Sequence, residues 1–177
     1  MTTARKTIVL ISTGGTIEKT YDELAGVLAN RVSVLDVMLA SLDLKGIRIE
    51  RIALMNKDSL DMSDADHDLV AANVLAQVQR EEVDGIVITH GTDRLATTGE
   101  RILARLRQED AVKVPVVLIG AIRPYALRST DALQNLTEAF MAVQLLQPGV
   151  YCVMHNMVLA FPGVVKDRKL GTFVKQR

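Results

Sequence analysis

A three-layer α/β fold, an open and mostly parallel sheet with helices on both faces, is what the sequence predicts. Three observations carry that prediction. Short, nearly continuous apolar runs recur along the chain. Amphipathic segments with helical spacing separate them, which is the pattern that right-handed crossovers onto a parallel sheet require. The third is size: 177 residues with 49% apolar and 24% charged residues can bury a sizeable core and solvate its surface. Residues 1–177 are therefore expected to form a single domain.

The strand runs are Thr7–Ser12, Ile47–Asn56, Ile86–Thr89, Val114–Ile119 and Val150–Met154. Four are nearly continuous in Val, Ile and Leu, as in strands buried on both faces. Arg48, Glu50 and Arg51 interrupt Ile47–Asn56, which places it nearer an edge. Between the strands, Val34–Leu42 reads as a helix capped by Ser33. Ser63 caps the next, with Asp64 and Asp66 complementing the positive helix start. There Val70, Val74 and Val78 repeat every four residues. Ile102, Leu103 and Leu106 form a shorter stripe, and Leu133, Leu136, Phe140 and Val143 have the spacing of a core-facing helix. Residues 166–177 are basic and have no clear partner in the sequence.

Composition excludes several functions. Lys+Arg and Asp+Glu are both 21, so there is no basic field to neutralise phosphates, and nucleic acid is not an expected partner. Aromatics are only 3%, too few for base-stacking platforms. A single cysteine, Cys152, rules out an internal disulfide framework and reads as core packing. His67, His90 and His155 lack metal-ligand spacing, so no metal or cofactor is called for; His90 reads as a turn residue or a donor behind the site. No run approaches the roughly 20 apolar residues of a membrane span. The plain reading is a cytoplasmic protein, a secreted chain already freed of its signal being the alternative.

In such sheets ligands bind outside the carboxyl ends of the strands. Four polar clusters fall there: Thr13-Gly14-Gly15-Thr16, Asp58-Ser59-Leu60-Asp61, His90-Gly91-Thr92-Asp93 and Gly120 to Pro124. Gly14-Gly15 allows a sharp turn that brings N–H groups close to a ligand. Thr16 then reads either as a nucleophile or as the cap of a tight turn. Thr92 and Asp93 read either as a proton relay and a cation site or as the start of a helix. Ser59 and Asp61 could grip a small zwitterion or simply turn the chain. Tyr21 lies in the irregular stretch Glu18–Asn30, which reads as a lid or as a surface loop. Lys166 is one of several cations near Arg168 and Lys169.

These segments, Thr13-Gly14-Gly15-Thr16-Ile17, Asp58-Ser59-Leu60-Asp61-Met62, Ile88-Thr89-His90-Gly91-Thr92-Asp93, Val116 through Arg123-Pro124, and Val153-Met154 through Lys166, closely resemble the bacterial L-asparaginase family that uses a threonine nucleophile. The resemblance runs in order over nearly the whole chain. It implies a flavodoxin-like sheet of the kind found in the family's N-terminal domain, and the hydrolysis of L-asparagine to L-aspartate and ammonia through a threonyl ester. Thr16 matches the nucleophile, Tyr21 its lid partner, and Ser59 the residue holding the substrate carboxylate, with Gly15 and Asp61 beside it. Thr92, Asp93 and Lys166 match the second catalytic group, Asp93 also meeting the substrate ammonium. The general base is left open between Thr92 with Lys166 and Tyr21.

Departures from the family pattern accompany these matches. Leu60 replaces a polar residue and Asp58 a glycine found in relatives, so the choice between asparagine and glutamine stays open. The chain ends eleven residues past Lys166, which implies a short form without the family's second domain. By family habit a homo-oligomer, dimer or tetramer, is expected. Two other functions stay in view: a glutaminase or ammonia-supplying amidotransferase subunit, and a non-catalytic amino-acid sensor.

Overall fold

The structure, a computed structural model, describes residues 5–176. Strand β1 (Lys6–Gly14) leads through a 3-10 turn, Thr16–Glu18, into a small hairpin of β2 (Thr20–Asp22) and β3 (Val27–Ala29). There follow α1 (Leu35–Ala40), β4 (Ile47–Lys57), a second 3-10 turn at Ser59–Asp61, α2 (Asp64–Val78), β5 (Gly85–Thr89) and α3 (Leu95–Gln108). The chain continues through β6 (Pro115–Ile119), α4 (Ala132–Leu145), β7 (Gly149–Met154), β8 (Met157–Ala160) and a ribbon of β9 (Val164–Asp167) with β10 (Thr172–Lys175).

Six strands form the central sheet in the order β4-β1-β5-β6-β7-β8. All neighbours are parallel except β8, which returns antiparallel to β7. The charged strand β4 lies at the edge, as its interrupting residues predict. Because side chains alternate across a strand, Val9, Ile11, Ile86, Ile88, Val116 and Leu118 enter one core with the valines of α2 and the Ile102–Leu106 stripe of α3. Ile8, Leu10, Val87, Val117 and Ile119 enter the other, with Leu35 and Met38 of α1 and Leu136, Phe140 and Val143 of α4. Both faces are thus covered, which is why these strands carry no polar alternation. Each such side chain contributes about 1.5–3 kcal/mol on burial.

Local signals act as read. Ser63 caps α2 in a reciprocal box with Asp66: each side chain accepts the other residue's backbone N–H. Ser33 accepts the Leu35 N–H at the start of α1. The basic terminus does have partners. Its β9–β10 ribbon buries Val164 and Phe173 in the α2–α3 core. His155 Nδ1 meets Thr172 Oγ1 at 2.9 Å, and Lys175 donates to the carbonyls of Ala160 and Pro162. Sequence spacing missed this because a four-residue ribbon offers too few positions to show a period. Among the described residues no helix is long and apolar enough to cross a membrane.

Candidate active site

The strand order makes β1 the switch point. Its successor β4 lies on one side and β5 on the other, so the chain leaves β1 and β5 in opposite directions, the place where open α/β sheets form a binding crevice. Those loops hold Gly15-Thr16 and Gly91-Thr92-Asp93.

Backbone contact brings them together. The register of β1 against β4 shifts between Ser12 and Gly14, and Gly15, at φ 79°, then folds over so that its N–H donates to Lys57 O at 2.8 Å. A Cβ on Gly15 would collide with the Gly91 backbone, and one on Gly91 would collide with the Ser59 side chain. Three loops therefore meet within the thickness of a backbone, possible only where side chains are absent. Thr16 follows at the mouth of this junction, half-buried. Ser59, 1% exposed, accepts a hydrogen bond from the Arg94 N–H at 3.3 Å.

From the far ribbon, Lys166 Nζ donates to Thr92 Oγ1 at 2.8 Å and reaches Asp93 Oδ1 at 3.1 Å. Its positive charge also bears on Asp58. Burial pushes the Asp58 carboxyl up, but hydrogen bonds from Lys19 and the Leu60 N–H, with the charges of Lys19 and Lys166, hold it below its usual value. Thr92, Asp93 and Lys166 thus form one cluster beside the Gly15–Gly91 junction. Asp61 is exposed and borders a polar cavity of about 390 Å³ with Lys19, Asn30, Lys57 and Asp58. Tyr21 stands apart on the hairpin, 64% exposed, with no hydrogen bond to Thr16 among the described residues.

A buried polar layer behind the site escaped the sequence. Glu18, 1% exposed, accepts hydrogen bonds from Thr89 Oγ1 at 2.8 Å and from Ser33 Oγ. It ties the turn bearing Thr16 to the end of β5. Asn30 donates to the Gly15 carbonyl at 2.8 Å. His90 is fully buried and, of its two readings, takes that of a donor behind the site. Its Nδ1 donates to the Gly91 carbonyl at 2.8 Å, which leaves Nε2 to accept from Thr98 Oγ1 at 2.7 Å. Thr98 in turn meets His67 Nδ1 at 2.7 Å. Burial, opposed by the Gly91 bond and aided by His67, pushes the His90 pKa down to about 4, so the ring is neutral at pH 7 and can play both roles. On the opposite flank Asp131 accepts the N–H groups of Ile122 and Arg123 and meets His155 Nε2 at 2.8 Å. The helical spacing of Asp131 and Asn135 is the local signal of that network; its other contacts join residues eight or more apart.

Among the described residues no group of three or more His, Cys, Asp or Glu could hold a metal ion. Thr92, Asp93 and Lys166 bring a hydroxyl, a carboxylate and an amine into one cluster, and the loop junction beside it carries the hydroxyl of Thr16.

Known proteins share this fold. The family model for the asparaginase N-terminal domain matches residues 7–171. L-asparaginase of Thermococcus kodakarensis is 31% identical over 166 residues, covering 93% of this chain and 48% of the relative. A subunit of the glutamyl-tRNA(Gln) amidotransferase of Methanococcus vannielii is 32% identical over 154 residues, covering 86% and 35%. The solved structure of the thermostable T. kodakarensis L-asparaginase superposes with a TM-score of 0.81 at 29% identity, over 96% of this chain and 51% of that one. A probable cytoplasmic L-asparaginase from Campylobacter jejuni gives 0.76 at 26% identity, over 97% and 52%. The chain spans half or less of the length of the curated relatives it matches. The match reaches from β1 to the ribbon bearing Lys166, the same stretch that builds the crevice, and on it the chain belongs to the asparaginase family.

Proposed function

We propose that the protein is an L-asparaginase, hydrolysing the side-chain amide of asparagine through an ester on Thr16. The observation that carries the reading is the cluster in which Lys166 joins Thr92 and Asp93 across more than seventy residues, at the switch point where Thr16 emerges. A surface lysine has no reason to be partly buried against a threonine hydroxyl; a proton relay does.

Thr16 Oγ attacks the amide carbon, and its β-branch limits the rotamers from which it can do so. Lys166 first gives up a proton to solvent; the Thr16 proton then passes to Thr92 Oγ1 as the Thr92 proton moves to the neutral Lys166 Nζ, and Asp93 at 3.1 Å balances the ammonium so formed. The Gly15 N–H is engaged by Lys57 O, so a backbone N–H of the Gly91-Thr92 turn receives the oxyanion. Ammonia leaves with a proton, and water then cleaves the ester to aspartate. Ser59 holds the substrate carboxylate, with Gly15 and Asp61 at the rim. Asp93 faces the substrate ammonium, and Tyr21 closes over the site from the hairpin. The active protein is a homo-oligomer on this reading, checked by light scattering. Ammonia release by Thr16→Ala tests the reading directly; undiminished release removes Thr16 as nucleophile.

One observation favours a second reading. Several relatives of similar identity are named as a subunit of glutamyl-tRNA(Gln) amidotransferase, which makes an ammonia-supplying subunit the alternative. Turnover of free asparagine by the isolated protein favours the first reading; turnover only with a partner protein favours the second.

A further inference from the structure

Asp93 has a second cation. Besides Lys166 Nζ at 3.1 Å, a guanidinium nitrogen of Arg168 lies 3.0 Å from the same oxygen, Oδ1. Residues two apart at a strand end emerge on one side, so Arg168 leaves β9 on the side from which Lys166 reaches Thr92. The turn that carries it is held by Asp167 Oδ1, which accepts the N–H groups of Lys169 and Leu170. The immediate surroundings of Asp93 are therefore one carboxylate and two cations, an excess of positive charge where the proposed reaction needs a negative group to meet an ammonium. The two cations differ in setting. Lys166 is 18% exposed and tied to Thr92, whereas the Arg168 side chain is 72% exposed and has Asp93 as its ion-pair partner. Arg168 is the one that can leave.

We propose that Arg168 is a specificity-determining residue. Its guanidinium stands at Asp93 where a substrate ammonium would stand, and this widens the substrate class from asparagine to ω-amides of dicarboxylic acids that carry no amino group, such as succinamate. With such a substrate Arg168 stays and Asp93 keeps both of its cations. With asparagine the ammonium must displace Arg168. The inference rests on the asparaginase reading, since it takes Asp93 to face the substrate.

The test compares asparagine with succinamate as substrates for the full chain, its Arg168→Gln and its Arg168→Lys variants. Arg168 is exposed, so neither change disturbs the core. Exposed ion pairs shift equilibria by up to about fivefold. In Arg168→Gln, kcat/KM for asparagine is expected to rise about threefold and that for succinamate to fall by a similar factor, while Arg168→Lys keeps the parent ratio. An unchanged ratio in Arg168→Gln, with ammonia release still dependent on Thr16, overturns the role of Arg168 and leaves the asparaginase reading standing. Titration calorimetry with aspartate and succinate, which differ by the same ammonium, reads the ratio without turnover. A chain that releases no ammonia sinks the catalytic reading, and the calorimetric ratio then still decides whether Arg168 discriminates; equal ratios in parent and Arg168→Gln overturn it.

Discussion

The floor of the crevice and the hairpin beside it are built on opposite principles. At the floor, Gly15, Gly91 and Ser59 touch through backbone and buried atoms, and Glu18, Thr89, His90 and Thr98 lie beneath them with almost no exposure. In the β2–β3 hairpin, Tyr21 is 64% and Leu24 96% exposed, and Val27 and Leu28 also face solvent. One region is held by filled space and a buried polar layer; the other is held by its own short ladder and by Asp22, which accepts the Leu24 and Ala25 N–H groups and pairs with Arg31 at 2.8 Å. On the proposed reading, the difference separates a floor that is rigid before substrate arrives from a hairpin that responds to it.

The largest expected break is chemical. Thr16→Ala should lower kcat/KM for asparagine by about 10³-fold or more, read by ammonia release, with the melting temperature hardly moved because the side chain is half-buried and makes no hydrogen bond among the described residues. Gly15→Ala attacks the floor itself. A left-handed φ and a collision with Gly91 together should cost about 3 kcal/mol in urea denaturation.

His90 sharpens the comparison through pH. Its folded pKa, pushed down to about 4 from an ordinary 6.5, means that the unfolded chain takes up a proton before the folded one does. Stability present above pH 6.5 is therefore lost as the pH falls toward 4. By pH 4.5 the loss should be about 2–3 kcal/mol relative to pH 7. His90→Gln should flatten that part of the curve, leaving the smaller share from His67, whose pKa is also pushed down by burial. An unaltered acid limb in the variant would show that His90 is not the group responsible. The smallest stability effect belongs to the hairpin. Tyr21→Ala should change the unfolding free energy by less than about 0.5 kcal/mol while lowering kcat/KM; full activity would remove Tyr21 from the reaction.

Legibility in the sequence followed the physics of each element. Strands β1, β5, β6 and β7 were plain because burial on both faces leaves continuous Val and Ile runs. Strand β8 was not, because it follows a two-residue turn of His155 and Asn156, at φ 53° and 62°, with no glycine to mark the left-handed conformation. The hairpin hid because its strands are three residues long and face solvent. In the site, the glycine loops declared themselves by composition. Lys166 became informative through the family pattern, and the structure then placed it against Thr92. Glu18 stayed invisible: its partners are Ser33 and Thr89, the latter 71 residues away, and no local pattern reports a contact of that span.

The interior position of β1, flanked on both sides, has a consequence for synthesis. Ile8 pairs with Ile49 on one side and with Gly85 on the other, so this strand, once made, waits for a long stretch of chain before both neighbours exist. Non-local parallel pairing of this kind is slow. The nascent chain carries Ile8–Ile11 uncovered through that interval, a segment that chaperones would have reason to hold. The amine that meets Thr92 emerges later still, so the Thr92–Asp93–Lys166 cluster is complete only once the ribbon that carries Lys166 has been made.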